Sequence, residues 1–184
     1  MHRVFLFTSI LSVAVSTPAV AQPRALGHTV RWDLVRVQLG TALAGGAAVA
    51  RDAATGDTFT LTGSGDAEPA EGDAAGGGTI VHHFAATNVD ATAVYVVTGL
   101  ISWEPGGGSP ALADGIGHGA EASAGILAMT IRIFRTAGGF SDATLTVNCH
   151  LPGATIDVPE GIELRVGRFD AVPNAGVTLF HVQK

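Results

Sequence analysis

Cysteine is almost missing from this chain. Cys149 stands alone among 184 residues, so no intramolecular disulfide can form and the fold has to rest on its core. Charge is also scarce: 14% of residues are Asp, Glu, Lys or Arg, against roughly 25% in an average soluble domain. Aromatics make up 6%, with one Tyr and two Trp, and lysine occurs once, at Lys184.

Each shortage excludes something. A formal charge of −6 without a basic cluster gives nucleic acid or an anionic membrane surface nothing to bind. A phosphate-binding loop ends in Gly-Lys-Ser/Thr and opens a helix, so Gly76-Gly77-Gly78 and Gly106-Gly107-Gly108 are not such loops. One Tyr and two Trp cannot build the aromatic girdles that an outer-membrane barrel carries at both interfaces. No apolar run approaches the ~20 residues of a membrane-crossing helix.

What is present is apolar and small: 47% hydrophobic residues and 25 glycines. The start has the form of an export leader. Met1-His2-Arg3 is basic, residues 4–15 are largely apolar, Pro18 breaks the run, and Ala19-Val20-Ala21 supplies a small-x-small cleavage pattern. A signal peptide is expected over 1–21, with cleavage near Ala21, a secreted or periplasmic destination and no membrane association of the mature form. Gln22 at the next position does not offer the thiol of a lipoprotein anchor. Residues 22–184 then form one domain, and a chain of about 150 residues buries close to 70% of its unfolded surface without disulfide staples.

Apolar residues in this part recur with period two, the signature of strands. In Asp57 to Ser64, Phe59 and Leu61 face one way while Thr58, Thr60 and Thr62 face the other; the segment pairs with 47–51 across a turn at 53–56. A second hairpin joins 126–134 to 144–151 through Ala137-Gly138-Gly139. Further strands are expected at 79–84, 91–103, 162–169 and 177–182. In the first strand, 30–39, Val30, Trp32 and Leu34 share one parity and Val35, Val37 and Leu39 the other, so a bulge near Leu34-Val35 would bring all six to one side. Residues 91–103 carry Tyr95, Val97 and Ile101 on one face and Val94, Val96 and Leu100 on the other. The resulting fold class is all-β: an antiparallel β-barrel of about eight or nine strands, with a two-sheet β-sandwich as the alternative. The Gly-, Ala- and acid-rich stretches 66–78 and 105–123 are expected as mobile surface loops.

Strand geometry scatters the reactive side chains. Neighbouring residues point to opposite faces, which separates His82 from His83 and Cys149 from His150. A metal site would need His82 or His83 to meet His150 across a ladder, with His118 or Glu121 arriving from the glycine-rich loop; no His-x-His, HExxH or Cys-x-x-Cys supports that spacing. Gly63-Ser64-Gly65 is not a nucleophile elbow. Glu104, Asp114 and Glu121 group near one loop, but the aromatic platforms of a sugar site are lacking. No catalytic residue and no cofactor is assigned.

The expected function is binding, or a structural and interaction role. One alternative is a barrel for a small apolar ligand, of the lipocalin or allene-oxide-cyclase kind, lined by Phe84, Tyr95, Trp103 and Met129. Another is a metal-dependent enzyme using His82, His83, His118 and His150. Self-association is the other partner class the two-faced apolar strands suggest.

Overall fold

The computed structural model describes residues 28–183. The expected leader over 1–21 and its cleavage site lie outside the described residues. Twelve strands follow in order: β1 (Thr29–Gln38), β2 (Thr41–Ala44), β3 (Ala48–Asp52), β4 (Thr58–Glu68), β5 (Asp73–Phe84), β6 (Val89–Gly107), β7 (Ala113–Asp114), β8 (Ala122–Arg135), β9 (Phe140–Cys149), β10 (Gly161–Val166), β11 (Phe169–Ala175) and β12 (Val177–Gln183). The described chain is all-β and contains no helix. All twelve strands belong to one sheet, antiparallel except where β7 lies parallel to β2.

Two shared edges organise the sheet. Along one edge of β4, β3 pairs with residues 58–61 and β1 takes over at 64–67. Along one edge of β8, β9 pairs with residues 125–134 and β12 takes over at 122–123. With β5 and β6 bridging β4 to β8, the pairings close on themselves twice. One circuit has eight strands, β3-β4-β5-β6-β8-β9-β10-β11, and the other has six, β1-β4-β5-β6-β8-β12. The eight-strand circuit ends at the β3–β4, β5–β6, β8–β9 and β10–β11 hairpin turns.

The interior follows the alternation. Phe59 and Leu61 on β4, Leu127, Met129 and Ile131 on β8, Leu145 and Val147 on β9, and Ile162 and Leu164 on β10 are buried. Toward the six-strand circuit the filling is aromatic. Trp32 and Phe180 are register partners on β1 and β12, both fully buried, and Trp103 meets Phe180 edge-on at 4.8 Å. Rings of this kind bury about 150–250 Å² each, and Trp32 and Phe180 are both closed off from solvent.

Several local expectations are corrected. Residues 66–78 are not a loop: β4 and β5 pair continuously from Thr58↔His83 to Glu68↔Asp73, leaving a turn of only residues 69–72. Glycine serves here by lacking a side chain. A Cβ on Gly63 would overlap the Tyr95 hydroxyl, and one on Gly65 or Gly76 would press into the Trp32 indole. The glycines let two large rings lie against bare backbone, an arrangement that looks like loop composition when only the sequence is read.

β1 has no bulge. Its register with β12 runs unbroken from Thr29 to Val35; Val35 is buried on the face opposite Trp32, and Val37 and Leu39 turn to solvent beside the Leu39-Gly40 hairpin turn. The irregularities fall in β6 instead, with register shifts at 97/99, 100/102 and 105/107 against β8. They move Leu100 and Trp103 to the core side with Tyr95 and Val97, and leave Ile101 exposed. The expected strand 162–169 is two, broken at Gly167 (φ +56°). Within 105–123, β6 extends to Gly107, β7 adds two residues and β8 begins at Ala122; the rest is irregular.

Candidate functional site

Two buried aspartates brace the hairpin-turn end of the eight-strand circuit. Asp52, at the end of β3, accepts the amides of Ala54 and Thr55 and the Thr55 hydroxyl on Oδ1, closing the β3–β4 turn. Its Oδ2 accepts the Asp170 amide of β11 at 2.9 Å. That amide, aided by those of the turn, holds the carboxyl below the usual carboxylate range. Asp57 completes the same turn and accepts the Ala85 amide of the β5–β6 turn at 3.0 Å on Oδ1. Its Oδ2 lies 2.9 Å from His82 Nε2. Burial would raise the Asp57 carboxyl, but the His82 and Ala85 hydrogen bonds and the charges of His82 and Arg168 outweigh it and hold the carboxyl low.

Between these braced turns a cavity of about 620 Å³ opens into the circuit. Its walls are mainly apolar: Phe59 from β4, Ile80 and Phe84 from β5, Ile133 from β8, Val166 from β10 and Phe169 from β11. Ala91 and Ala93 on β6 supply the empty volume, being small where the neighbouring strands place large residues. The His82 ring is clamped among aromatics, stacked on Phe59 at 4.2 Å, tilted against Phe84 at 3.8 Å and edge-on to Phe169 at 5.1 Å. Its bond to Asp57 engages Nε2. Cations border the opening: Arg168, whose guanidinium lies over the Phe169 ring at 5.2 Å, and Arg135, which donates to the Phe140 carbonyl at 3.1 Å.

Of the four residues expected to line a ligand site, Phe84 borders this cavity. Tyr95 lies one inward position further along β6 than Ala93, fully buried, and donates to the Thr62 carbonyl at 3.1 Å; burial pushes its hydroxyl far above the ordinary value. Met129 is fully buried between its register partners Leu100 and Leu145, and Trp103 packs on Phe180 at the other end. The wall residues Phe59, Ile80, Ile133, Val166 and Phe169 were not singled out in sequence. Their signal was there: Phe59, Phe84 and Phe169 all flank hairpin turns, and Ile80, His82 and Phe84 share one parity on β5.

The four histidines considered as metal ligands are apart. His82 is in the cavity wall; His83 turns the other way and meets Asp90 at 2.8 Å. His118 sits in the irregular segment before β8, its carbonyl accepting the Glu121 amide, and His150 follows β9 with its amide donating to Glu160 Oε2 at 2.5 Å. Among the described residues no three His, Cys, Asp or Glu side chains gather where they could hold one ion. Cys149 is buried, its thiol pushed up to about 12 by burial and then by the Glu160 charge, and it donates to the Thr178 carbonyl.

A histidine not singled out in sequence is the most buried one. His181 on β12 lies 2.7 Å from Asp114 of β7, both side chains closed off from solvent. Asp114 also accepts the Ile116 and Gly117 amides, and Arg31 donates to the Ile116 carbonyl at 3.2 Å and to Asp33 at 3.1 Å. Burial would raise Asp114, but His181 and those amides hold it low; burial raises Asp33 despite Arg31. This polar cluster fastens the β6–β8 connection over β1 and β12, a structural task. No protein-family model, curated protein or solved structure matches the chain.

Proposed function

We propose that the chain is a binding protein for one small, largely apolar molecule, held in the mouth of a β-barrel. The observation that carries this reading is the 620 Å³ cavity walled by Phe59, Phe84, Phe169, Ile80 and Ile133. Ligand pockets run from about 300 to 1,000 Å³, and a barrel of about eight strands leaves room for one small molecule. The eight-strand circuit supports the barrel over the two-sheet sandwich, and the ring-filled six-strand circuit supplies the floor. Export to the periplasm or medium, proposed from the leader pattern in 1–21, suits a carrier that meets its ligand outside the cytoplasm.

The test is titration with N-phenyl-1-naphthylamine, a neutral apolar fluorophore. Wild-type protein enhances its emission saturably at one site. Ala93→Phe, which fills the cavity from β6, abolishes the enhancement while far-UV circular dichroism stays unchanged. Absence of a saturable signal, or equal binding by the filled variant, overturns the reading.

A second reading has its own support on the outer surface. Val94, Phe134 and Phe140 are successive register partners across β6, β8 and β9, and all are exposed. An exposed apolar row of this kind suits self-association. Native mass spectrometry tests it directly: a dimer lost on Phe134→Ser would support it, and a monomer would end it.

A further inference from the structure

We infer that the ligand of this cavity carries one anionic headgroup on its apolar body, with Arg135 and Arg168 as its recognition pair. This rests on the binding reading above and names its ligand class. Arg165 is paired to Asp170 and Arg31 to Asp33, and Arg132 to Asp142 at 2.7 Å. Arg168 and Arg135 make no carboxylate ion pair among the described residues, although the Arg168 charge reaches Asp57. Both border the same opening.

The acids nearby are already satisfied. Asp142, the one acidic residue bordering the cavity, is bound to Arg132, and Asp57 behind the wall is taken up by His82 and the Ala85 amide. The mouth therefore presents two arginines outside any ion pair, Arg168 facing only the hydrogen-bonded Asp57, on a chain whose formal net charge is −6. Phe169 holds the Arg168 guanidinium against its face, which orders the fork without using its hydrogen-bond donors. Arg135 gives one nitrogen to the Phe140 carbonyl and keeps the remaining donors free. A carboxylate meeting such donors at the edge of an apolar cavity forms charge-assisted bonds, while the body of the molecule buries against the phenylalanines. Thr92, Ser141 and His82 add a few polar atoms to walls that are otherwise apolar.

The experiment is displacement of N-phenyl-1-naphthylamine by matched pairs differing only in the head: dodecanoate against dodecanol, and 4-phenylbutyrate against 4-phenylbutanol. The first pair represents an acyl chain and the second an aromatic acid, so the arms identify the source of the anion. In at least one pair the carboxylate displaces the probe at a concentration lower by about tenfold or more, the factor expected of one charge-assisted hydrogen bond. Arg135→Gln with Arg168→Gln removes that preference and leaves displacement by the alcohol unchanged. Equal displacement by acid and alcohol, or a preference that survives in the double variant, overturns the inference while the cavity reading stands. Failure of the probe to bind wild-type protein overturns both.

Discussion

His82 and Asp57 form a wall-and-brace pair: Nε2 of the histidine lies 2.9 Å from Oδ2 of the aspartate, whose other oxygen accepts the Ala85 amide. One carboxylate thus ties the β5–β6 turn and the orientation of a cavity-wall ring to the β3–β4 turn that carries it. His82 in turn stacks on Phe59 and lies tilted against Phe84, and each such ring pair contributes about 0.5–1.5 kcal/mol beyond area burial. His82→Ala should cost about 1–3 kcal/mol in urea unfolding and weaken probe binding, because it removes both ring contacts. His82→Phe, keeping the rings and losing the bond, should recover most of the stability.

Acid should loosen the cavity rim. Asp57, Asp52 and Asp114 all have carboxyls held below their ordinary value of 3.8. A group lowered in the folded state binds its proton more readily when unfolded, so its stabilisation is complete above the unfolded value and is lost as pH falls through the folded one. Asp33 and Glu160, raised by burial, act in the opposite sense: their contribution is complete below the ordinary carboxylate value and is lost as pH rises through the folded one. The urea midpoint of the wild type should therefore fall steeply below pH 4, and Asp57→Ala should flatten that limb while lowering the neutral plateau. An unaltered acid limb in the variant would contradict the assignment.

At Gly63, the missing Cβ makes room for the Tyr95 hydroxyl. Gly63→Ala should destabilise by about 1–3 kcal/mol, the usual range for forcing extra volume into a packed site. Tyr95→Phe removes the colliding oxygen, so the double variant should be more stable than the sum of the single effects requires. Strict additivity in thermal unfolding would show that the two positions do not meet.

Leu39 occupies a left-handed backbone conformation (φ +48°) and is 97% exposed, followed by Gly40 at φ +80°. Two-residue hairpin turns with both central residues at positive φ favour Asn-Gly. Leu39→Asn should stabilise by about 0.5–1 kcal/mol through relief of that strain and leave ligand affinity unchanged. A lower melting temperature would refute this account of the turn.

The buried Asp114–His181 pair makes a sharper demand. Removing one partner of such a pair costs about 3–5 kcal/mol when the other is left buried. Asp114→Ala should therefore open the β6–β8 connection, and the amides of Ile116 and Gly117, which donate to Asp114, should lose hydrogen-exchange protection before the amides of β8 do. Protection that survives would mean the connection is held by other contacts.

The sequence conveyed the period-two strands and the two main hairpins because side-chain alternation is a local property. It did not convey β2, β7 or β11. The first two are too short to alternate, and β11 carries Pro173 with a register shift beside it. The β4–β5 hairpin was hidden because Gly63, Gly65 and Gly76 answer to the close approach of Tyr95, Trp32 and the paired strand's backbone, which the local sequence does not show. The cavity was half legible for the same reason: Phe84 could be named from its strand, but the meeting of Phe59, Phe84 and Phe169 depends on how four turns converge. His181 lay in an expected strand, but its pairing with Asp114 depends on where the β6–β8 connection folds.

The strands that close the six-strand circuit come from opposite extremes of the described chain, with Thr29 opposite Gln183 in register. Trp32 and Phe180 can meet only after nearly everything between them has been laid down, a contact of very high sequence separation and therefore late in assembly. A nascent chain would hold its cavity walls before it held their floor. The ability to retain a guest should accordingly be the last property acquired in refolding and the first forfeited when either terminal strand frays.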